Sequence, residues 1–208
     1  MTNSFYTKKI AIGLLLAIMS IGKSQGASNL ASGLFQQPEP YVSIDANYSK
    51  LLSQQVRFAG YGLGFDFESG LSLGLTLYRL RSKVLTSEYS LGAAWQFRIS
   101  YLSVLAAYKL YEKDKLKVVA ELGNGFGNVN FLELEVDRGR YGLYVFEPNL
   151  YTRYSILSWL GLAVQVGYRM GFTSGPPTVG ELSSLKFDIG FTVMALPLYR
   201  AIKNRDFS

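Results

Sequence analysis

The chain has 208 residues and a net charge of +6, with 49% hydrophobic residues, 21 glycines, no cysteine and no histidine. The missing cysteine excludes a disulfide scaffold and a thiol nucleophile, and the missing histidine removes the commonest general base and zinc ligand. No run of Lys or Arg resembles a nucleic-acid-binding stripe, so no nucleic-acid partner is predicted.

The first 27 residues have the pattern of a cleavable secretory signal peptide. Lys8 and Lys9 precede the apolar stretch Ile10 to Ile21, and small residues at 24–27 follow it. This stretch is shorter than the roughly 17 to 25 residues that a membrane-spanning helix needs. An uncleaved anchor or a buried helix is the alternative. A polar linker at 28–40 follows the expected cleavage site.

Eight segments beyond the linker alternate between apolar and small or polar residues. They lie near 41–49, 56–67, 71–81, 88–111, 116–125, 142–156, 160–171 and 185–196. A period of two predicts β-strands whose two faces meet different surroundings. The interpretation is an all-β protein with eight strands.

Two of these segments contain an irregularity. In segment 88–111 the apolar positions change from odd to even between Ile99 and Leu102, which predicts a β-bulge. A separate hairpin at this point would make the strand count odd. Pro148 lies inside segment 142–156, and its missing N–H predicts a bulge or kink. The connection before that segment is expected to form a hairpin that turns at Arg138 to Arg140.

The apolar face carries no charged residue within the central parts of these segments, and the nearest exceptions, Arg57 and Arg79, are expected at one rim. A Lys or Arg on a lipid-facing strand at the bilayer midplane costs about 2–4 kcal/mol, which explains why charged residues would be excluded from this face. The complementary face is too rich in glycine and too poor in charge for the solvated surface of a soluble sandwich. The residues predicted to face lipid are Leu71, Leu73, Leu75, Leu77, Trp95, Phe97, Leu162, Val164, Val166, Phe187, Ile189, Phe191 and Val193.

A secreted chain with these strands and no long apolar helix is expected in the bacterial outer membrane, where closed barrels satisfy all backbone groups. The prediction is an eight-stranded antiparallel up-and-down transmembrane barrel at 41–197. Three tight turns alternate with longer connections near 50–55, 82–87, 126–141 and 172–184. Short turns are typical of the periplasmic end, so both termini are expected in the periplasm. The C-terminal tail at 198–208 follows.

The inward face carries charges of both signs separated by glycines. Because eight strands enclose a lumen that side chains just fill, a plugged interior of ion pairs and Tyr or Gln hydrogen bonds is expected rather than a wide pore. A proton path or a carboxylate pair for acid–base chemistry is the alternative. No catalytic, cofactor-binding or metal-binding residue is predicted. The expected ion-pair network comprises Asp66, Arg98, Lys117, Glu121, Glu147, Arg153, Arg169, Lys186 and Asp188.

Two parts of the chain carry a family resemblance. Tyr101 to Tyr111, the charged turn at 112–115 and Leu116 to Gly127 resemble the small outer-membrane β-barrel domain family of Bacteroidetes-type bacteria, with its PorT-like and OmpX-like eight-stranded barrels. Glu147 to Leu150, Ser158 to Leu162 and Gly167 to Arg169 are similar to its later hairpin. The resemblance implies an outer-membrane barrel and implies no reaction.

Three functions from different classes remain open. The favoured one is a non-enzymatic barrel that acts through its structure or through contacts of its extracellular loops. The second is an accessory subunit of an outer-membrane secretion or transport assembly, as the PorT-like resemblance suggests. The third, a lipid-modifying enzyme, is disfavoured by the missing histidine. The expected partners are outer-membrane lipid, the insertion machinery and, for the second function, a secretion-assembly protein.

Overall fold

The structure, a computed structural model, describes residues 38–86, 95–133, 136–175 and 182–204. It contains nine strands and a C-terminal helix within these ranges. Their bounds are β1 Glu39–Leu51, β2 Gln54–Asp66, β3 Leu71–Leu80, β4 Leu85–Thr86, β5 Trp95–Lys113, β6 Leu116–Glu133, β7 Val136–Ser155, β8 Leu160–Thr173, β9 Ser184–Met194 and α1 Ala195–Asn204. The predicted signal peptide lies outside the described residues.

Eight of the nine strands form a closed antiparallel up-and-down barrel. Neighbours in sequence pair with each other, and the barrel closes because β1 pairs with β9 and β3 pairs with β5. The two-residue strand β4 adds to the loop end of β5. The predicted fold is therefore confirmed.

The two ends of the barrel differ. At one end, three short turns connect β2 to β3, β5 to β6 and β7 to β8, and the described chain begins and ends there; we name it the turn end. The opposite end, named the loop end, holds the remaining connections. The connection predicted near 50–55 is only the two residues Leu52 and Ser53, which adopt φ angles of 50° and 63° that match a tight hairpin turn.

Side chains alternate strictly between the outside and the lumen. On β9, for example, Phe187, Ile189 and Phe191 are 45%, 42% and 53% exposed, whereas the intervening Asp188 and Thr192 are 2% exposed. The same alternation places Leu73 and Leu75 outside on β3, and Val166 outside on β8. The apolar outer face is thus a property of the whole wall.

Strand β5 departs from the prediction. It pairs with β6 in one unbroken register from Trp95 to Lys109, so the parity change expected between Ile99 and Leu102 is wrong. The register shift lies instead between Lys109 and Tyr111. Phe97 is consequently 1% exposed and faces the lumen, not lipid. The side chain of Trp95 is outside the described part of the chain.

The same register places Arg98 on the outer face, where its side chain is exposed. Its predicted membership of the lumen network is therefore wrong. Even-numbered residues of β5 from Gln96 to Leu110 point outward, and Arg98 is one of them.

The hairpin predicted between segments five and six is present, but its turn is misplaced. Strands β6 and β7 remain paired up to Glu133 and Val136, so Arg138 to Arg140 belong to β7. A register shift at this level leaves Arg138 without a partner on β6. Pro148 introduces no register shift, but the β7–β8 pairing is interrupted beside it, between Phe146 and Asn149.

Helix α1 begins directly after β9 and contacts β1 and β9 at the turn end. Ala201 is buried, whereas Leu196, Tyr199 and Ile202 are 40%, 63% and 58% exposed. No helix among the described residues combines the length and the apolar character needed to cross a bilayer.

Candidate functional site

The lumen has two sections of opposite character. Towards the turn end it is lined by charged and amide side chains, and towards the loop end by apolar ones. Every other side chain of each strand points into this space. Gly60 leaves room for the side chain of Asp45, and Gly167 leaves room for that of Asn149. What the lumen can do follows from how these two sections are filled.

The first ionic cluster lies near the turn end and is built around Asp66. Lys117 Nζ lies 2.7 Å from its carboxylate, and Arg153 Nη2 lies 3.3 Å from the same oxygen. Ser72 donates a third hydrogen bond at 2.5 Å. The side chains are 11–13% exposed, so two cations hold one carboxylate almost out of water. Such partners satisfy the buried charge.

The second cluster lies deeper and is built around Glu147. Arg169 Nε donates to Glu147 Oε1 at 2.7 Å, and the Tyr101 hydroxyl donates to the same oxygen at 3.1 Å. The ammonium of Lys186 lies 3.6 Å from the other carboxylate oxygen. The remaining guanidinium nitrogens of Arg169 donate to Asn47 and Ser49, each at 3.0 Å.

Aromatic rings complete this cluster. The Arg169 guanidinium lies 4.2 Å from the centroid of Phe58, and Lys186 Nζ lies 5.5 Å from that of Tyr78. Cations over ring faces gain electrostatic stabilisation in addition to their ion pairs. The sequence predicted Tyr or Gln hydrogen bonds in the lumen but did not identify these partners, because nothing in the strand period shows which inward residues are neighbours.

A third group of side chains lies between the two clusters. Lys186 is 3.1 Å from Asp188, whereas Glu121 accepts hydrogen bonds from Gln165 at 2.7 Å and Asn149 at 3.0 Å. Asp45 lines the same space. Of the predicted network, the structure brings together all members except Arg98.

A small cavity of about 70 Å³ separates the two clusters, lined among others by Asp45, Asp66, Glu121 and Asp188. One water needs about 10–15 Å³ of such volume, so the cavity has room for a few waters. Among the described residues, Asp188 Oδ1 and Asp45 Oδ1 have no hydrogen-bond partner, and Asp188 Oδ2 has only the Lys186 ammonium at 3.1 Å. Ordered water is the simplest partner for them in a polar space of this size.

The apolar section closes the lumen towards the loop end. Its members come from the loop-end halves of β1, β2, β5, β6 and β7 and from two connections. They are Leu51, Val56, Val84, Phe97, Ile99, Val129, Leu143, Val145 and Leu182. Each is at most 5% exposed. The ionic clusters are therefore covered from the loop end by packed hydrocarbon.

The interior offers little for chemistry. The described residues hold no group of three or more acidic side chains that could bind a metal ion. Asp66, Glu147 and Asp188 are paired with cations, and Glu121 accepts hydrogen bonds from two amides, so these carboxylates are held in structural contacts. The arrangement fits a structural plug.

The corrected facing of β5 is testable. We expect Phe97→Leu to lower the free energy of unfolding by about 1 kcal/mol, because Phe97 packs in the apolar section. Phe126→Leu, at an outer position that is 63% exposed, should change it by less than about 0.5 kcal/mol. Denaturant unfolding of both variants in lipid vesicles measures the difference. Equal effects would contradict the assignment of Phe97 to the lumen.

Solved structures share this fold. The neisserial surface protein A, NspA, superimposes with a TM-score of 0.61 at 14% identity and covers 74% of this chain and 96% of its own. The N-terminal β-barrel domain of Pseudomonas aeruginosa OprF gives 0.51 at 14% identity, covering 76% and 98%. The Yersinia pestis attachment invasion locus protein, Ail, in complex with the heparin analogue sucrose octasulfate, gives 0.51 at 12% identity, covering 76% and 99%.

These similarities establish the fold alone, since all three identities are low. No protein-family model matches the sequence, and a comparison with curated proteins gives no significant match.

Proposed function

We propose that this protein is a non-enzymatic integral barrel of the bacterial outer membrane, closed to solutes, that acts through its structure or through contacts of its loop end. The observation that carries the proposal is the distribution of charge. Between the turn end and the level of Arg57, Arg79, Arg98 and Arg140, the described outward residues of the eight barrel strands are uncharged, while Asp66, Glu147, Arg169 and Lys186 are enclosed. Lipid is the solvent that this arrangement fits.

Aromatic residues support a bilayer around this wall. On β7, Tyr144 and Tyr154 both point outward and are separated by ten residues. At about 3.3 Å per residue and a tilt of about 40°, they lie about 25 Å apart along the barrel axis. That distance equals the height of the apolar band in outer-membrane barrels, whose borders carry aromatic girdles.

The orientation follows from the turns as part of the same proposal. The three short turns, helix α1 and both termini would lie in the periplasm, and the loop end outside the cell. Residues 1–27 would direct export and be removed. Outer-membrane lipid and the insertion machinery are then the general partners. Membership of the small barrel family widespread in Bacteroidetes remains part of the proposal.

Cell fractionation tests the location. We expect the mature chain to remain with the outer membrane after carbonate washing and to show heat-modifiable mobility on gels. Recovery of a folded monomer from the soluble periplasmic fraction would refute the proposal.

Conductance tests the closed interior. The purified barrel in a planar bilayer should give no resolved single-channel currents, because the ionic clusters and the apolar section fill the lumen. Stable ohmic steps from the folded protein would contradict a plugged interior.

A role as an accessory subunit is the second candidate. At the loop end, β5 pairs with β3 only as far as Ser100, and β7 pairs with β8 only as far as Leu143. Strands β5, β6 and β7 continue beyond these two residues as a three-stranded sheet. This raised sheet, which β4 extends next to β5, is the surface that the loop end would present to a partner. Co-purification of one stoichiometric outer-membrane protein, lost when 129–141 is replaced by a short turn, would favour this role.

A further inference from the structure

The outer face changes from aromatic to cationic towards the loop end. Along β2 the outward residues run Leu63, Tyr61, Ala59 and Arg57. The corresponding outward positions are Arg98 on β5, Arg140 on β7 and Arg81, which directly follows the last residue of β3. We name these four arginines the basic row: Arg57, Arg81, Arg98 and Arg140. All four side chains are exposed.

Strand pairing places the members of the basic row side by side. Arg81 N donates to Arg57 O at 2.8 Å. Arg98 pairs with Asn130, which pairs with Arg140 on the far side. The last β3–β5 pair at this end is Arg79 with Ser100, and Arg81 and Arg98 each lie two residues beyond it. Neighbouring strands are about 4.8 Å apart, so adjacent guanidinium groups can reach one ligand.

An aromatic and apolar row lies four residues closer to the turn end on each of these strands. Successive backbone pairs connect its members, which are Tyr61, Leu77, Leu102, Phe126, Tyr144 and Phe172. The rings of Phe126, Tyr144 and Phe172 follow one another at centroid distances of 5.2 and 5.8 Å. Arg81 Nη2 donates to the Tyr61 hydroxyl at 3.2 Å, which joins the two rows.

The spacing of the rows fixes the depth of the arginines. Four residues along a strand tilted by about 40° rise about 10 Å along the barrel axis. Aromatic girdles mark the edge of the hydrocarbon layer, so the basic row lies at the level of lipid headgroups.

No carboxylate among the described side chains lies next to the basic row. Among the residues whose side chains the structure describes, every carboxylate lies in the lumen or at the turn end. Arg79 and Lys83 add two more exposed cations at the loop end. Adjacent cations repel one another, and a multivalent anion at headgroup level would relieve that repulsion.

We propose that the basic row binds the phosphate groups of glycolipids in the outer leaflet of the outer membrane. Arginine suits this ligand because its planar guanidinium holds phosphate oxygens in pairs, and two neighbouring strands can engage one phosphate together. The proposal rests on the outer-membrane location proposed above. A free polyanion shares the chemistry, but it explains neither the outward facing of the arginines nor their spacing from the aromatic row.

The test measures glycolipid binding by native mass spectrometry of the full mature chain in detergent, titrated with diphosphoryl lipid A. We expect the combined variant R57Q/R81Q/R98Q/R140Q to bind about tenfold more weakly than the wild type. The matched control K113Q/K115Q/R200Q/K203Q removes the same charge from exposed positions at the turn end and should bind as the wild type does.

Further arms separate the possible ligands. Fully dephosphorylated lipid A should bind about tenfold more weakly to the wild type, and inositol hexakisphosphate should fail to compete at concentrations equal to lipid A. Equal loss in the control variant, indifference to phosphate, or effective competition by the free polyanion would each overturn the proposal.

Folding is checked by heat-modifiable mobility. If the fourfold variant does not fold, R98Q/R140Q replaces it, with an expected loss of about threefold. An unchanged affinity in that variant would also overturn the proposal. A wild type that resides in the membrane but ignores phosphate refutes this inference alone, whereas a soluble wild type refutes the proposed location.

Discussion

Replacement of Glu147 by alanine should lower the free energy of unfolding by about 3–5 kcal/mol. Glu147 is 1% exposed and accepts a 2.7 Å hydrogen bond from Arg169, with Lys186 3.6 Å from its other oxygen. Alanine would leave the Arg169 guanidinium buried without a carboxylate. Urea unfolding from lipid vesicles, followed by tryptophan fluorescence and gel mobility, measures the loss.

The matched control is Glu112→Ala. Glu112 forms an ion pair of similar length, 2.6 Å, with Lys109, but the two side chains are 48% and 31% exposed. Water replaces an exposed partner, so the loss should be below about 1 kcal/mol. A similar loss in the two variants would contradict the burial of the Glu147 cluster.

A second variant separates the unpaired charge from the lost volume. Glu147→Met combined with Arg169→Met removes both charges and keeps the space filled, while Lys186 retains Asp188 at 3.1 Å. We expect most of the lost stability to return, since buried ion pairs replaced by hydrocarbon of similar volume are often neutral. A double variant as unstable as Glu147→Ala would indicate that packing, not charge, is the cause.

The strand order and the facing of most strands could be predicted from the sequence. Leu71, Leu73, Leu75 and Leu77 alternate with small or polar residues, and the structure gives β3 at Leu71–Leu80 against a prediction of 71–81. Such agreement is expected where the outer face and the lumen differ sharply in polarity, because only one of the two possible facings then puts the apolar residues outside.

The same rule fails on β5 for a physical reason. Near the loop end the lumen is itself apolar, so Phe97, Ile99 and Tyr101 look like a lipid-facing set although they point inward. Arg98 points outward because this part of the wall is above the aromatic row. In this part of β5 the inward residues are more apolar than the outward ones, so the apolar pattern predicts the wrong facing. Pairing with β6 fixes which side chains point inward.

The ion pairs could be predicted as a class but not as pairs. Asp66 and Arg153 are 87 residues apart in sequence, and Glu147 and Arg169 are 22 apart. Their meeting depends on the stagger of all the strands between them. A period of two carries no information about stagger, so the pattern gave the members of the network and left their partners open.

Replacement of Leu75 by arginine should prevent stable insertion or lower the free energy of unfolding by about 2–4 kcal/mol. Leu75 lies in the middle of β3 on the outer face and is 40% exposed, between Leu63 and Val104 at 55% and 50%. In the proposed outer-membrane location, a guanidinium at this position would meet hydrocarbon on every side. The measurements are the fraction of heat-modifiable protein in washed membranes and urea unfolding from vesicles.

Two control variants separate the effect of a charge in the middle of the wall from the effect of any substitution. Leu75→Phe keeps the position apolar, and Glu68→Arg adds an arginine at an exposed turn position on the approach to the same strand; both should insert normally. The wild type already carries Arg79 four residues further along the same face, two residues beyond Leu77 of the aromatic and apolar row. The loss of stability caused by an outward arginine therefore depends on its depth in the bilayer and not on which strand carries it. Equal insertion of Leu75→Arg and Glu68→Arg would mean that water, not acyl chains, contacts the middle of the wall.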